Sequence, residues 1–258
     1  MGVKTVVGSA ICAAAVLFAS SSALPVLAQE QAETLAWITY WTIEPHSSAK
    51  FEEAIKKHNA FHKAQNDPNA ALTWEILTGK MTGHYMRGAV GRQWADFDAP
   101  GVDEVADAAD VAATIGPHIA RAKTVVYEFW PDLSRLPEGG PSKLARIVHF
   151  NIKRGSQGRL KEAIGRAHEA IGKSNWPTTY AWYEVVDGGH RPTFALVLPK
   201  ENWAGFASPE KTFDKMLTEV YGAEEAGKIL SAFGESIEDE SSFTIGQRLD
   251  LSYLPATE

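Results

Sequence analysis

The pattern of hydrophobic and polar residues along this chain alternates between that of a strand and that of a helix. The same order of patterns occurs twice. Residues 37–43 and 147–152 are rich in β-branched and aromatic side chains, which is typical of strands. Residues 47–64 and 156–173 then space their apolar side chains as a helix does, and Ser156 is positioned to cap the second of these helices. Each of the two segments is therefore predicted to begin with a strand and a helix.

Each segment continues with two further strands, helical sequence and a last strand. The predicted strands are residues 73–77, 85–90 and 124–129 in the first segment, and residues 182–186, 193–198 and 243–251 in the second. The order β-α-β-β-α-β is the ferredoxin-like arrangement, so the predicted fold class is α+β.

The two segments are copies of each other. Residues 37–100 align with residues 146–209 without a gap at a constant offset of 109, and Trp94 and Phe97 match Trp203 and Phe206. The ends of the copies, residues 132–137 and 250–255, are offset by 118, which indicates a nine-residue insertion in the second copy. The predicted domains are a first repeat over residues 29–140 and a second over residues 141–258, with Gly139-Gly140-Pro141 between them as a linker.

In the predicted strands, odd and even positions are both mostly apolar. Neither face of either sheet is therefore suited to contact with water. A four-stranded sheet with helices on one face must cover its other face as well. Two copies in one chain meet this need by packing sheet to sheet, which predicts an intramolecular pseudo-dimeric barrel.

Residues 1–28 have the pattern of a secretory signal peptide. Lys4 is followed by an apolar run, and Val26 and Ala28 are small residues at the −3 and −1 positions of a cleavage site before Gln29. We expect a bacterial protein exported to the periplasm or medium, without a stable membrane anchor after cleavage. Cleavage would also remove Cys12, the only cysteine, and with it any disulfide or thiolate metal site.

The formal net charge of −7 argues against nucleic acid as a partner, because phosphate binding needs a basic face. The predicted partners are a small molecule and the second repeat of the same chain, with a further homo-oligomer left open. No phosphate loop, nucleophile elbow or dinucleotide fingerprint is present, and no cofactor is predicted.

The second-strand and third-strand residues resemble a known superfamily. Tyr183-Glu184-Val185, Phe194-x-Leu196 and Glu201-x-Trp203 resemble the dimeric α+β barrels, and most closely the antibiotic-biosynthesis-monooxygenase-like domains. The resemblance implies a pseudo-dimeric barrel, and a range of functions that includes cofactor-free oxygenases, haem-containing enzymes, isomerases and ligand sensors. The histidine that usually follows the tryptophan motif in that pattern is missing here, and Phe206 and Pro209 occupy the stretch.

Polar residues on the predicted lumen face of the first strands are the main site candidates. His149 and Asn151 share one alternation, opposite Val148 and Phe150, and the matching residues in the first copy are Tyr40 and Thr42. We expect these four residues to bind a ligand, and His149 would be the proton acceptor of a catalytic site because its ordinary pKa lies near neutrality. Bonds to neighbouring strands or buried water are the structural alternative.

Two further pairs are candidates for the same pocket. Glu75 and Glu184 lie in the middle of second strands and could transfer protons if they faced an apolar lumen; the alternative is a structural ion pair. Trp94 and Trp203 are expected to pack between helix and sheet or to form a ligand wall.

A third pair, His58 and His62, is spaced i, i+4 on the first helix. No third ligand is evident nearby in the sequence and lysines surround the pair, so we expect a solvated helix face and no metal.

Three functions remain open from the sequence. The first is an exported protein that binds a small, partly apolar molecule in or beside the barrel lumen. The second is a cofactor-independent monooxygenase or isomerase acting on a phenolic or quinone-like substrate in the same pocket. The third is a structural or interaction protein without a ligand, and whether the chain is an enzyme is undecided.

Overall fold

The computed structural model describes residues 34–138 and 142–255. The predicted signal peptide and cleavage site, and the linker at residues 139–141, lie outside these ranges. None of the helices in the described ranges is long and apolar enough to cross a membrane.

Each repeat contains four strands and its helices in the predicted order. In the first repeat the elements are β1 (Thr34–Ile43), α1 (Ser48–Ala64), β2 (Leu72–Ile76), β3 (Tyr85–Arg92), α2 (Glu104–Thr114) and β4 (Ile119–Phe129). In the second repeat they are β5 (Leu144–Ile152), α3 (Gln157–Lys173), β6 (Ala181–Asp187), β7 (Thr193–Lys200), α4 (Phe213–Tyr221), α5 (Ala223–Ser236) and β8 (Ile237–Gln247). Short 3₁₀ turns include Trp94–Phe97 and Trp203–Phe206.

The eight strands form one closed antiparallel barrel in the order β1-β3-β2-β8-β5-β7-β6-β4. Within each repeat the order is that of a ferredoxin-like sheet. The two sheets are joined at both edges, because β2 pairs with β8 and β4 pairs with β6. The repeats therefore share a continuous hydrogen-bonded wall in addition to packing face to face, and the predicted pseudo-dimeric barrel is confirmed.

The offsets found in the sequence have a direct structural meaning. Helices α1 and α3 correspond residue for residue at the offset of 109, and strands β4 and β8 correspond at the offset of 118. Helix α5 corresponds to α2, so the nine-residue insertion is helix α4. Matched residues also share unusual backbone angles: Asn66 and Asn175 have φ of 53° and 48°, a left-handed conformation that asparagine tolerates after a helix.

Some details of the predicted elements are wrong. Strand β4 was expected at residues 124–129, but it begins at Ile119. The last strand was expected at residues 243–251, but β8 starts at Ile237, and Leu249–Leu251 is a 3₁₀ turn. The residues from Glu238 to Ser242 are exposed, so this part of the strand has no hydrophobic pattern, and pairing with β5 holds it in place. Ser156 precedes α3 but makes no capping hydrogen bond through its side chain.

Three apolar clusters make up the core. One lies between the sheet of the second repeat and its helices, and includes Leu160, Ile164 and Phe194. A smaller one lies under α1 in the first repeat, around Phe51 and Ile55. The third lines the barrel lumen with residues from both repeats, including Ile38 and Ile147. The lumen cluster is therefore the part of the core that neither repeat can complete alone.

The repeats are expected to depend on each other for solubility. Residues 142–255 produced alone would expose the lumen face and the unpaired edges of β6 and β8, so we expect this half to dimerise through them or to aggregate. Size-exclusion chromatography with light scattering measures the outcome, with the full chain as the control. A monodisperse monomeric half that does not bind a hydrophobic dye would contradict this expectation.

Candidate functional site

The barrel lumen encloses a cavity of about 390 Å³. Its wall comes from strands of both repeats and is mostly apolar, with small side chains at Ala36, Ala145 and Ala195. Val90 and Leu136, which also line it, are 49% and 58% exposed, so the cavity is open to solvent on their side. A cleft of this volume and composition is typical of a small-molecule site.

A row of polar side chains interrupts the apolar wall. The Tyr40 hydroxyl lies 2.7 Å from the Tyr127 hydroxyl, and Tyr127 Oη lies 3.4 Å from His149 Nε2. Tyr183 lines the same cavity, with its ring 6.4 Å from that of Tyr127. The row joins strands β1, β4 and β5, and hence both repeats.

Every member of this row is uncharged at neutral pH, and burial moves each pKa further from neutrality. It raises the pKa of Tyr40 well above the ordinary value, and it raises the pKa of Tyr127 and of Tyr183 to about 12. Burial, with a smaller effect of the Lys123 charge, lowers the pKa of His149 to about 4. The lumen therefore offers phenol hydroxyls and a neutral imidazole, groups that can donate or accept hydrogen bonds without carrying charge.

Of the four strand residues proposed from the sequence, the structure places two on the cavity wall. Tyr40 and His149 line the cavity. Asn151 and Thr42 do not line it, and the amide of Asn151 hydrogen-bonds instead to Asp239 and Thr193. The proposed pairing of His149 with Asn151 is therefore wrong, because Asn151 lies beyond the cavity near the end of its strand.

The two glutamates point away from the lumen. Their neighbours Trp74 and Tyr183 line the cavity, so alternation turns Glu75 and Glu184 to the opposite face of the sheet. Glu75 accepts a hydrogen bond from Arg248 at 3.1 Å. It therefore forms a structural ion pair, the alternative to proton transfer that the sequence left open. The proposal that the two carboxyl groups transfer protons in an apolar lumen is wrong for this geometry.

The two tryptophans are at the surface. Trp94 and Trp203 are 47% and 55% exposed and contact Phe97 and Phe206 within their own 3₁₀ turns. Neither tryptophan lines the cavity. The expectation that they pack between helix and sheet or form a ligand wall is therefore wrong.

Sequence reasoning missed Tyr127 and Tyr183. Tyr127 lies in a strand that was correctly predicted, and it shares its alternation with Val125, which also belongs to the lumen cluster. Inward alternation continued into the last strand indicates Tyr127. Tyr183 was missed because its neighbour Glu184, on the opposite alternation, was expected to face the lumen.

His58 and His62 are not on a solvated face. His58 is only 5% exposed, and its Nδ1 lies 2.8 Å from Asp110 Oδ2. His62 Nδ1 lies 2.7 Å from Asp67 Oδ2, and the two Nε2 atoms are 3.0 Å apart. The surrounding lysines are exposed, but the histidines turn inward against α2, a contact 49 positions away that the local pattern could not indicate.

Comparison with solved structures identifies the fold. A proposed monooxygenase from Lactobacillus acidophilus superposes with a TM-score of 0.55 at 9% identity, over 86% of this chain and 97% of its own. An anthrone oxidase-like protein gives 0.54 at 11% identity, over 85% and 92%. A chlorite dismutase from Candidatus Nitrospira defluvii gives 0.51 at 9% identity, over 84% and 92%.

No protein-family model and no curated protein sequence matches the chain. At these low identities the structural likeness establishes the fold, which is the dimeric α+β barrel, here a tandem duplication in one chain. Each alignment is longer than one repeat, so it spans parts of both repeats.

Haem, which the resemblance to dimeric α+β barrels allows, does not suit this cavity. No lysine or arginine of the described chain lines the wall to pair with the propionates, and the Nε2 of the wall histidine, His149, faces the Tyr127 hydroxyl. The lining fits an uncharged organic molecule better.

Replacing His149 by glutamine should make stability less dependent on pH. The pKa of about 4 in the folded state lies below the ordinary 6.5, so the folded protein binds fewer protons than the unfolded chain between these values. The contribution of the neutral imidazole to the free energy of unfolding is complete above about pH 6.5, and it is lost as the pH falls toward 4. From pH 7 to pH 5 the parent should lose about 1–2 kcal/mol more of its unfolding free energy than His149→Gln, as measured by urea unfolding. Equal losses would contradict the buried, neutral state of His149.

Proposed function

We propose that the barrel binds a small, mostly apolar organic molecule that carries a hydroxyl or carbonyl group. The observation that carries this proposal is the joint lumen cavity of about 390 Å³, with an apolar wall and one row of uncharged polar groups. Apolar contacts would supply most of the binding free energy, and the polar row would orient the molecule.

The row can serve either kind of polar group. A ligand hydroxyl could donate to the unprotonated nitrogen of His149, and a ligand carbonyl could accept from Tyr127. The separation of 3.4 Å between Tyr127 Oη and His149 Nε2 is long for a hydrogen bond, so a ligand group can replace this contact at little cost. Each good hydrogen bond would contribute roughly 0.5–1.5 kcal/mol.

We expect the protein to bind members of a panel of one-ring and two-ring phenols, quinols and quinones. Tyr127→Phe should weaken binding about 2-fold to 10-fold because it removes one hydrogen bond, and Ala195→Leu should weaken it further because it fills the cavity. Tyr180→Phe is the matched control, since the Tyr180 hydroxyl bonds to His168 outside the lumen. Isothermal titration calorimetry measures the affinities.

No binding by the parent to any panel member would contradict the proposal and favour a structural or interaction role. Equal weakening by Tyr127→Phe and Tyr180→Phe would place the site outside the lumen.

A second candidate is a cofactor-independent monooxygenase, which the fold of the monooxygenase and anthrone oxidase-like neighbours favours. The reaction would convert an activated CH₂ group and O₂ into a carbonyl group and water. The unprotonated His149 would accept the first proton, although its lowered pKa makes it a weaker base than the sequence suggests. Recording dissolved oxygen during the same ligand titrations separates the two functions. If the parent takes up one O₂ per ligand and His149→Gln does not, the oxygenase function is supported. Ligand binding without O₂ uptake supports the binding function.

We also propose that the chain is exported by residues 1–28 and works outside the cytoplasm. The basic, apolar and small-residue pattern before Gln29 supports this. N-terminal sequencing of protein exported by its own host is expected to start at Gln29, and a start at Met1 would contradict export by this route.

A further inference from the structure

A cluster of two histidines and three aspartates lies between α1 and α2, on the outer side of the sheet. Asp110 and Asp67 each bind the Nδ1 atom of one histidine, at 2.8 and 2.7 Å. The Nε2 atoms of His58 and His62 then face Asp107 Oδ1 at 3.6 and 3.5 Å. The cluster therefore brings three potential ligand atoms to one point, each on a different side chain.

The hydrogen bonds fix the protons of the neutral rings. A carboxylate only accepts, so each Nδ1 carries a hydrogen, and each Nε2 keeps a lone pair. Asp107 Oδ1 is shielded from solvent and has no hydrogen-bond partner in the part of the chain that the structure describes. With both rings neutral, three acceptors converge without a donor, and either a proton on one Nε2 or a metal ion between the three atoms relieves this.

The surrounding charges also favour a cation. Asp67, Asp107 and Asp110 place three carboxylate groups around the two imidazole rings. Arg87 is the cation that faces the cluster from β3, and it is held by hydrogen bonds to Thr73, Asn59 and the Leu251 carbonyl. The net charge of these groups is negative, so a divalent ion would balance it.

We propose that His58, His62 and Asp107 bind one divalent transition-metal ion of the zinc type. The three ligand atoms are 3.0, 3.5 and 3.6 Å apart. The circle through them has a radius of about 2.0 Å, and zinc binds nitrogen and oxygen at about 2.0–2.2 Å. Asp110 and Asp67 orient the two rings, as carboxylates behind metal-bound histidines do. Three protein ligands leave the fourth position to water.

The ion would attach α2 to α1. No residue of α2 is buried, whereas the matching helix α5 buries Ala226 and Ile229. At the positions of His58 and His62 the second repeat has Ala167 and Ile171, and both are buried. The fold therefore accepts apolar residues at these positions, and the first repeat uses polar and ionic contacts where the second uses a hydrophobic core.

The test uses untagged full-length chain, stripped with a chelator and titrated with Co²⁺ alone. We expect one equivalent to bind with the visible absorption of four- or five-coordinate cobalt, to be displaced by Zn²⁺, and Zn²⁺ to raise the melting temperature by several degrees. His62→Ala and Asp107→Asn should abolish the absorption. Asp110→Asn should weaken binding about 10-fold to 100-fold, because it removes the carboxylate that orients His58.

His190→Ala is the matched control, because His190 is exposed in the second repeat and should leave binding unchanged. The double variant His58→Ala with His62→Ile carries the residues of the second repeat and should fold, by circular dichroism, without binding cobalt. A parent that binds no cobalt would overturn the proposal. So would binding that survives in Asp107→Asn and in the double variant, because the ion would then lie elsewhere.

Discussion

The structure depends on the need of each repeat to cover one apolar sheet face and to pair two edge strands. Pairing of β2 with β8 and of β4 with β6 satisfies the backbone groups at both edges, and closure brings the two apolar faces together. A barrel of eight strands is just wide enough for side chains to fill it or to leave room for one small molecule. Here small residues at Ala36, Ala145 and Ala195 leave the central volume free. The cavity is thus a consequence of closure, and it belongs to neither repeat alone.

Duplication within one chain has allowed the two copies to diverge. At equivalent lumen positions the first copy has Tyr40 and the second His149, and Tyr127 matches Ile245, so the polar row exists once and not twice. The outer layers diverge more strongly. Arg87 and Thr73 of the first repeat correspond to Leu196 and Trp182 of the second, which pack against an apolar core. In a symmetric homodimer each change would appear on both sides of the barrel, whereas a fused pair can place a polar row or an ion-binding cluster on one side only.

The sequence was sufficient for those features that depend on local periodicity or on the repeat. The bounds of α1 and α3, the barrel and the inward positions of Tyr40 and His149 followed from periodicity and from the constant offset. It was insufficient where a side chain is defined by a distant partner. The burial of His58 depends on Asp107 and Asp110, which belong to another helix, and the ion pair of Glu75 depends on Arg248 at the far end of the chain. The exposed start of β8 has no hydrophobic pattern that predicts a strand. Only its backbone pairing with β5 makes this segment a strand.

The lumen and the histidine cluster lie on opposite sides of the same sheet, and β3 shows how closely they are connected. Met86 lines the cavity, while the next residue, Arg87, faces α1 and bonds to Thr73 and Asn59. Because alternate residues of a strand point to opposite faces, a change at the cluster reaches the lumen only by moving the backbone of β2 or β3. Those strands are held on both sides, β3 by β1 and β2, and β2 by β8, which resists such movement. The fold therefore keeps two chemically different candidate sites largely separate in energy: the proposed organic-ligand cavity formed by both repeats, and the charged cluster formed by the first repeat alone.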